Sequence, residues 1–396
     1  MQSYEVAIVG GGPAGLSTAL FLAHSAPALT DRIVVLEKAR YPRDKICGGA
    51  IGARGDKLLE SIGVRVNVPS VNVRTLSLRT SFGGARATLS HIGRVVRRIE
   101  FDHALAQQVR ARGIRILEDT HVSDVQRTPG GVTVHSTAGE FQARAVIGAD
   151  GVAGVTRKLI GLGPSPYRAQ VIELDTEPVP ADLPRDTLHF DYFEPGFAGY
   201  AWDFPTIVNG EPLVCRGVYH LKLPGQAKVE IHDVLAQRLA AVGLDIARFK
   251  IKRFAECGFE TRQSYAVPHI ALVGEAAGID AFSGEGIPQA LEYGAFAGRY
   301  LAEKLKKGDL SFRDWGKRML RAKPGYDLRM REWLMHQYYG ERRELIERHV
   351  GNLPEFVQCT AEQLAGLPIS NLSFLGAMAR MGLQALSDRL RPTAAP

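Results

Sequence analysis

The stretch Tyr4-Glu5-Val6-Ala7-Ile8-Val9-Gly10-Gly11-Gly12-Pro13-Ala14-Gly15 joins a short apolar run to a cluster of glycines. The run is rich in β-branched residues, which is typical of a buried parallel strand. Residues 16–23 are apolar and favour a helix, and residues 33–37 form a second apolar run that ends in an acid. The beginning of the chain therefore predicts a strand–helix–strand unit with the glycines at its first turn.

The glycines of this turn have the spacing of a dinucleotide-binding fingerprint. Gly10 permits the tight turn, Gly12 lets a pyrophosphate approach the backbone, and Gly15 lets the helix pack closely on the strand. Free N–H groups at the helix start would face the phosphate charge, and Glu37, 22 residues beyond Gly15, would accept hydrogen bonds from ribose hydroxyls. A glycine-rich turn in an unrelated α/β protein is the alternative. The candidate cofactor-binding residues of this unit are Gly10, Gly12, Pro13, Ala14, Gly15, Glu37 and Lys38.

Two later segments also have the pattern of buried strands that end in turns. Residues 143–148 run into Ala149-Asp150-Gly151, and residues 270–274 run into Glu275-Ala276-Ala277-Gly278. These segments lie far apart in the chain, but both suit a parallel sheet that also contains the first strand.

Segments of a different character separate these strands. Residues 76–90 and 170–223 carry alternating, aromatic-rich runs with turn residues, which is typical of antiparallel strands. Residues from about 290 onward favour helices. We predict an α/β protein, α+β overall, with a Rossmann-like domain, an interleaved antiparallel-sheet domain and a helical C-terminal region. The predicted boundaries are 1–70, 95–165 and 260–310 for the first domain, 71–94 and 166–259 for the second, and 311–396 for the helical region.

The composition is that of a globular protein, with 45% hydrophobic and 23% charged residues in a chain of 396. There is no apolar run of about 18 residues and no basic leader before residue 15, so we expect neither a membrane-spanning helix nor a signal peptide. The four cysteines lie far apart, and the histidines form no HxxxH or HExxH pair, so we expect a cytoplasmic protein without a disulfide framework or a metal site. The net charge of +7 is diffuse, which suits an anionic cofactor or a lipid surface better than a nucleic acid.

Three motifs together resemble those of the FAD-dependent reductase and hydroxylase superfamily that includes p-hydroxybenzoate hydroxylase. The resemblance implies FAD as the cofactor, with Glu275 near its ribityl chain and the glycine-rich helix start at 284–287 against the flavin ring. The chain departs from the superfamily pattern at Glu275, where Asp is usual, and at Ala281, where Pro is usual. A plain strand–loop–helix is the alternative for this third motif. The second and third motifs contribute the candidate cofactor-binding residues Asp150, Gly151, Gly274, Glu275, Gly284, Gly286 and Ile287.

Two further positions follow from the same resemblance. The superfamily has an Arg near the cofactor, ahead of a capped helix, and Arg98 stands at that place with Asp102 as the predicted cap of a helix to residue 112. Because Arg94 and Arg97 are its neighbours, a solvated surface Arg is the alternative. Val122 stands where the superfamily packs backbone against adenine.

Two stretches narrow the resemblance to the geranylgeranyl reductase family, over about residues 3–320. They are Tyr41-Pro42-Arg43-Asp44-Lys45-Ile46-Cys47-Gly48-Gly49-Ala50 and Gly199-Tyr200-Ala201-Trp202-Asp203-Phe204-Pro205. The resemblance implies that Cys47, Gly48 and Gly49 flank the flavin. It also implies that Tyr200, Trp202 and Phe204 line a lipophilic substrate cavity.

Both implications have alternatives in the residues themselves. On a strand, Tyr200, Trp202 and Phe204 share one face, so they could equally form plain core between two sheets. Cys47 is the candidate catalytic residue, as a thiol that helps to donate a proton or shapes the site. It could also be a small buried apolar residue, as free cysteines commonly are.

The resemblance favours a flavoenzyme that reduces carbon–carbon double bonds in an isoprenoid or other lipophilic substrate. NAD(P)H or another donor would bind transiently, because the chain has one dinucleotide fingerprint. A flavin-dependent monooxygenase or halogenase that tailors a secondary metabolite is the second hypothesis, and a non-catalytic prenyl-binding escort protein is the third. The oligomeric state stays open.

The C-terminal part is basic and aromatic at once. Residues 311–349 would either touch a membrane peripherally through an amphipathic basic face or pack on the first domain with their basic stems solvated. The apolar stretch at 372–386 would cap the substrate cavity, where Met378 and Met381 suit an irregular pocket.

Overall fold

A computed structural model describes residues 2–194, 196–223, 229–350, 354–368 and 379 of the chain. Within these residues the chain forms two sheets of eight strands each, together with ten α-helices. None of the helices in this part of the chain is long and apolar enough to cross a membrane.

The strands are β1 (Gln2–Val9), β2 (Ile33–Leu36), β3 (Ala50–Gly52), β4 (Ser70–Thr80), β5 (Gly83–Val96), β6 (Arg115–Leu117), β7 (Val122–Thr128), β8 (Gly131–Ser136), β9 (Gly139–Gly148), β10 (Arg168–Thr176), β11 (Thr187–Tyr192), β12 (Gly199–Val208), β13 (Glu211–Lys222), β14 (Lys252–Cys257), β15 (Ala266–Val267) and β16 (Ile270–Leu272). The helices are α1 (Pro13–Ser25), α2 (Ala53–Glu60), α3 (Arg98–Ala111), α4 (Thr156–Leu159), α5 (Ile231–Ala241), α6 (Ile287–Lys307), α7 (Trp315–Arg321), α8 (Lys323–Tyr338), α9 (Arg343–Val350) and α10 (Pro354–Ala365).

The first sheet is built around β1, which pairs in parallel with β2 on one side and β9 on the other. β6 and β16 continue the sheet in parallel, and β7, β8 and β15 add antiparallel pairs. Residues 4–9 of β1 are all buried, as the apolar run predicts. Because the carboxyl ends of parallel strands meet at one edge, the turns after β1, β9 and β16 lie side by side.

Helix α6 is held against α1 by two of its glycines. A Cβ on Gly294 would lie 2.5 Å from the carbonyl oxygen of Ala14, and a Cβ on Gly298 would lie 2.5 Å from the nitrogen of Leu22. Only glycine permits so close an approach of two helix backbones. The packing brings the amino end of α6 next to the glycine turn.

The second sheet has the order β14-β10-β13-β12-β11-β4-β5-β3. Its pairs are antiparallel except for β11 with β4, which are parallel. Tyr200, Trp202 and Phe204 of β12 belong to the core cluster on one face of this sheet, and α5 covers the other face with Leu235 and Leu239. The predicted fold class, with a parallel sheet, a second antiparallel sheet and C-terminal helices, is confirmed.

The predicted cap of α3 is wrong. The helix begins at Arg98, directly after β5, and the extended residue Arg97 takes the N-cap position. Asp102 lies one turn inside the helix, where its carboxylate accepts two hydrogen bonds of 2.7 Å from the Arg98 guanidinium. Asp is a common cap residue, but here an ion pair with the residue four positions earlier fixes its place instead.

The four helices α7 to α10 form the described part of the predicted C-terminal region. Helix α10 packs on β5 and on Gly52, where a Cβ would lie 2.5 Å from the carbonyl oxygen of Leu364. Helix α8 packs against α6 and α7. The proposed cavity cap at 372–386, with Met378 and Met381, lies outside the described residues.

Candidate active site

The glycines of the turn between β1 and α1 have different surroundings. Gly10 has a φ of +106°, and a Cβ there would lie 2.3 Å from the carbonyl oxygen of Ala149. A Cβ on Gly15 would lie 2.0 Å from the carbonyl oxygen of Gly10. At Gly12 the nearest heavy atom to such a Cβ is Arg43 Nη2, at 3.9 Å. Gly10 and Gly15 are therefore required by the fold, whereas Gly12 leaves space beside the amino end of α1.

That helix end is open to an anion. Gly12 is the N-cap of α1, makes no side-chain capping hydrogen bond, and is followed by Pro13 and Ala14. The first N–H groups of a helix lack partners within the helix and carry a partial positive charge. The turn therefore offers backbone donors to a phosphate group beside Gly12.

Glu37 lies at the end of β2 and is 5% exposed. Its carboxylate accepts hydrogen bonds from the N–H groups of Gly11, at 2.7 Å, and Ala39, at 3.0 Å. A carboxylate has about four acceptor positions, so two remain for ribose hydroxyls. The next residue, Lys38, is exposed to solvent, so the structure separates it from the buried acid.

Two guanidinium groups share one carboxylate beside the turn. Besides the pair with Arg98, Asp102 forms an ion pair of 3.1 Å with Arg43. Arg43 also donates a hydrogen bond of 3.1 Å to the carbonyl oxygen of Gly11, and its Nε is buried without a hydrogen-bond partner among the described residues. The same Nε lies 3.5 Å from a carboxylate oxygen of Glu37, so two carboxylates balance the two guanidinium groups. The Arg43 guanidinium lies next to the open side of Gly12.

The turns after β9 and β16 meet at a lysine. Asp150 accepts hydrogen bonds from the N–H and the hydroxyl of Thr156, which fixes the turn after β9, and burial raises the pKa of the Asp150 carboxyl. In a short 3₁₀ helix, Gly274–Ala276, Glu275 places its Oε2 3.6 Å from where a Cβ on Gly151 would lie. The same oxygen is 3.6 Å from Lys45 Nζ, which is buried and lacks a hydrogen-bond partner in the described part of the chain.

The loop before α6 ends this row of turns. Gly284 has a φ of +64°, Gly286 is the N-cap of α6, and Ile287 is its first residue. Between the glycines, the Glu285 carboxylate accepts hydrogen bonds of 2.7 Å from Arg54 of α2 and from Arg331 of α8. A residue from the helical C-terminal part therefore holds the loop in place.

A cavity of about 530 Å³ lies between this loop and the second sheet. Its volume is within the range of small-molecule sites, and most of its wall is apolar. Helices α8 and α10 contribute the side away from the sheet, through residues such as Met330 and Leu364. The predicted site residues that line it are Cys47, Gly48, Gly49, Tyr200, Trp202, Phe204, Gly284, Gly286 and Ile287.

The aromatic wall is tied to the loop before α6. Tyr200 stacks on Tyr219 of β13, with ring centroids 5.2 Å apart, and the two hydroxyls donate to the carbonyl oxygens of Ser283, at 2.6 Å, and Ala281, at 2.9 Å. A Cβ on Gly48 would lie 3.0 Å from the ring of Phe204. The rings therefore pack against both backbone segments that the family resemblance assigns to the flavin.

Cys47 joins this wall to a buried acid. Its N–H donates a hydrogen bond of 3.1 Å to Glu173 of β10, and its Sγ accepts a weak hydrogen bond of 3.4 Å from the N–H of Gly49. Burial raises the pKa of the Cys47 thiol, although the nearby Arg98 opposes the shift. Burial also raises the pKa of Glu173 to about 7. The thiol is therefore protonated at neutral pH and is a poor nucleophile.

Sequence reasoning missed several residues of this site. Glu173 and Glu256 lie within strands of the second sheet, and Tyr219 lies on the neighbouring β13. An acid inside an apolar strand is the only signal that Glu173 gives in the sequence. The contribution of Arg331 could be predicted only by knowing that α8 folds back over the loop before α6.

Val122 lies apart from the cavity. It begins β7, and its side chain is buried in a separate core cluster with Val134 and Phe141. Two residues earlier, the N–H of Thr120 donates a hydrogen bond of 2.9 Å to the carbonyl oxygen of Glu37. The backbone before Val122 is therefore near the acid that would bind the ribose.

These residues fit FAD. Gly12 and the amino end of α1 would take the diphosphate, with Arg43 next to it, and Glu37 would take the adenosine ribose. Glu275 and Lys45 lie at the turns between this groove and the cavity, where a ribityl chain would pass. Arg43 Nε and Lys45 Nζ are buried and have a carboxylate oxygen at 3.5 Å and 3.6 Å, but they make no hydrogen bond among the described residues, so a polar ligand would complete the site.

Comparison with known proteins agrees with this fit. The family model described as "FAD binding domain" matches residues 3–303. The chain is 25% identical to a digeranylgeranylglycerophospholipid reductase of Methanosphaera stadtmanae, over 78% of this chain and 81% of that protein. It is 28% identical to a menaquinone reductase of Mycobacterium tuberculosis, over 78% of each chain.

Solved structures share the fold. A geranylgeranyl bacteriochlorophyll reductase-like protein from Thermoplasma acidophilum aligns with a TM-score of 0.69 at 19% identity, over 98% of both chains. A flavin-dependent brominase aligns with a TM-score of 0.67 at 16% identity, over 98% of this chain and all of that one. At these identities the two structures establish the architecture and leave the reaction to the site.

Proposed function

This chain belongs to the FAD binding domain family, and from that premise we propose that it reduces carbon–carbon double bonds of an isoprenoid or other lipophilic substrate. The observation that carries the proposal is the apolar cavity, whose wall combines the Cys47-Gly48-Gly49 turn, the aromatic face of β12 and the loop before α6. The names of the two relatives, reductases of a geranylgeranyl lipid and of menaquinone, support the same substrate class.

FAD, once reduced by NAD(P)H or another donor, supplies a hydride for such a reaction. The chain supplies the surroundings. Tyr200, Trp202 and Phe204 would hold an extended apolar substrate and keep water from the reacting carbons. The loop at 284–287, fixed by Arg54 and Arg331, would keep the reacting ring in one orientation.

An anaerobic assay tests the proposal. The purified, flavin-loaded protein is reduced with dithionite and mixed without oxygen with geranylgeranyl diphosphate or menaquinone. We expect flavin reoxidation together with a product that, after any menaquinol has been reoxidised in air, is heavier by two hydrogens for each side-chain double bond reduced. Turnover that requires dioxygen would instead support the monooxygenase or halogenase alternative, which the shared fold with the brominase keeps open.

The escort-protein alternative predicts that the purified protein carries no flavin. A prenyl-binding protein without a working cofactor site would be colourless after purification and would show no flavin absorbance. We expect a yellow protein, because the glycine turn and Glu37 retain the geometry of a dinucleotide site.

We expect Cys47→Ala to slow substrate reduction by less than about tenfold and to keep the rate of flavin reduction within about twofold of the wild type. Loss of a general acid would instead slow the reaction by about 10²–10⁴-fold. The thiol makes one weak hydrogen bond and packs beside Gly49, so its proposed role is to shape the site. Stopped-flow absorbance measures the two half-reactions separately. Cys47→Ser is the control for size. A loss of about 100-fold or more in the substrate step of both variants, with flavin reduction unchanged, would assign proton donation to the thiol.

We also propose that the cavity receives its substrate from a lipid surface through α8. Tyr326, Met330 and Trp333 lie on one face of this helix, line the cavity, and are 53%, 37% and 51% exposed. An apolar patch that continues into an apolar cavity suits a substrate that is delivered from a membrane.

A double variant, Tyr326→Ser with Trp333→Ser, tests this contact. We expect it to bind vesicles of phosphatidylcholine and phosphatidylglycerol at least about tenfold more weakly, because it removes two aromatic side chains from the interface. Co-sedimentation measures the binding. Leu345→Ser is the matched control, since Leu345 is 41% exposed on α9 and does not line the cavity. Equal binding of both variants would contradict the proposal.

A further inference from the structure

Glu256, on β14, lines the cavity, and one of its carboxyl oxygens is unpartnered within the described part of the chain. Its Oε2 is buried and has no hydrogen-bond partner among the residues that the structure describes. The two neighbouring hydroxyls are already engaged, because Tyr200 and Tyr219 donate to backbone carbonyls of the loop before α6. A buried carboxylate without a donor is unfavourable, whereas a protonated carboxyl carries a proton that it can donate.

This oxygen lies next to Gly284 and to the two tyrosine rings. A Cβ on Gly284 would lie 3.2 Å from Tyr200 Oη, 3.2 Å from Tyr219 Cε2 and 3.3 Å from Glu256 Oε2. The acid therefore lies where the aromatic wall meets the loop that the family resemblance assigns to the flavin ring. A substrate that reaches this end of the cavity comes next to the Glu256 carboxyl group.

The charges around Glu256 favour its neutral form. Burial raises the pKa of this carboxyl well above its usual range. Three acids raise the pKa of Glu256 further, and Lys45 opposes them. These acids are Glu275 in the 3₁₀ helix, Asp280 in the loop before α6 and Glu173 on β10. Tyr200 and Tyr219, from β12 and β13, stay neutral because burial raises the pKa of each phenol.

We propose that Glu256 is the acid that donates the proton for double-bond reduction in this cavity. The inference rests on the proposed function. As the π bond breaks, one carbon forms a C–H bond with a hydride from the reduced flavin. The other carbon forms a C–H bond with the proton from the Glu256 carboxyl, whose O–H bond breaks. The carboxylate regains a proton from water at the cavity mouth, so each double bond consumes one hydride and one proton.

The kinetic test compares Glu256→Gln with the wild type and with Cys47→Ala, all carrying FAD. We expect Glu256→Gln to bind FAD and to accept electrons from dithionite at the wild-type rate. Its anaerobic reoxidation by geranylgeranyl diphosphate should be at least about 100-fold slower, since the amide has no acidic proton. Glu256→Asp should recover part of that rate. Reoxidation of Glu256→Gln at the wild-type rate would overturn the proposal.

A second measurement, on the flavin-free protein, does not depend on activity. A raised pKa in the folded state means that the wild type loses stability as pH rises above the usual pKa of a glutamic acid. Glu256→Gln removes this loss, so its melting temperature should exceed that of the wild type by about 2 °C or more at pH 8 and match it near pH 4. Glu211→Gln, at the exposed start of β13, is the control and should show no such difference.

The two possible failures are distinguishable. A wild-type protein that reduces the side-chain double bonds of neither geranylgeranyl diphosphate nor menaquinone would overturn the proposed function, and with it the donation of a proton to an alkene. A Glu256→Gln variant whose melting temperature follows the wild type at every pH would overturn the protonated acid itself, whatever the substrate is.

Discussion

A Gly12→Val variant is expected to keep its fold and to bind FAD at least about 100-fold more weakly, a loss of about 2.7 kcal/mol. The backbone of Gly12 has φ −83° and ψ −176°, which any residue can adopt, and the nearest atom to a new Cβ is 3.9 Å away, at the end of the Arg43 side chain. The flavin-free protein therefore has room for the valine. The same room is where a diphosphate would reach the N–H groups of α1.

Quenching of FAD fluorescence measures the affinity, and thermal melting of the flavin-free protein measures the fold. Two other glycines give the comparison. Gly15→Ala should destabilise the flavin-free protein, because its Cβ would lie 2.0 Å from the carbonyl oxygen of Gly10. Gly130→Val, with no atom within 4 Å of a new Cβ, should change neither measurement. Wild-type affinity in Gly12→Val would contradict the placement of the diphosphate.

Gly12 and Gly15 belong to the same sequence motif, but the structure gives them different roles. Spacing alone predicts the turn, the strand β1 and the helix α1, because these are local and follow from apolar periodicity and glycine conformation. It also predicts that Tyr200, Trp202 and Phe204 share a face, since a strand alternates its side chains. Which glycine the fold requires and which one a ligand requires depends on distant atoms such as Ala149 and Arg43.

The acids Glu173 and Glu256 of the site were beyond prediction for a related reason. Glu173 and Glu256 come from β10 and β14, which are adjacent in the sheet but about eighty positions apart in the chain. Their burial depends on strand pairing that a single sequence does not reveal. The cap assigned to Asp102 failed in the same way, because an ion pair with Arg98 and a second one with Arg43 decide where that side chain lies.

An Arg331→Met variant is expected to lower the free energy of unfolding by about 3–5 kcal/mol, the usual cost of removing one partner from a buried ion pair. Arg331 is 8% exposed on α8. Its guanidinium donates hydrogen bonds to Asp280, to Ser283 and to Glu285, on both sides of Gly284. Methionine would fill much of the space but would leave the Asp280 carboxylate buried without its cation. Urea unfolding followed by tryptophan fluorescence gives the free energy.

A second change to methionine, at a lysine of the same helix, separates the effect of this ion pair from that of helix packing. Lys323 pairs with Glu292 at 2.8 Å, but its side chain is 62% exposed, so Lys323→Met should cost about 0–1 kcal/mol. Adding Asp280→Asn to Arg331→Met should restore part of the lost stability, because the uncompensated charge is then gone. If the free energy of unfolding of Arg331→Met stays within about 1 kcal/mol of the wild-type value, the ion pair between Arg331 and Asp280 does not hold the loop in place as its geometry indicates. If the loss is as large as expected, helix α8 is part of what fixes the loop before α6, and it lies outside residues 3–303 that the family model matches.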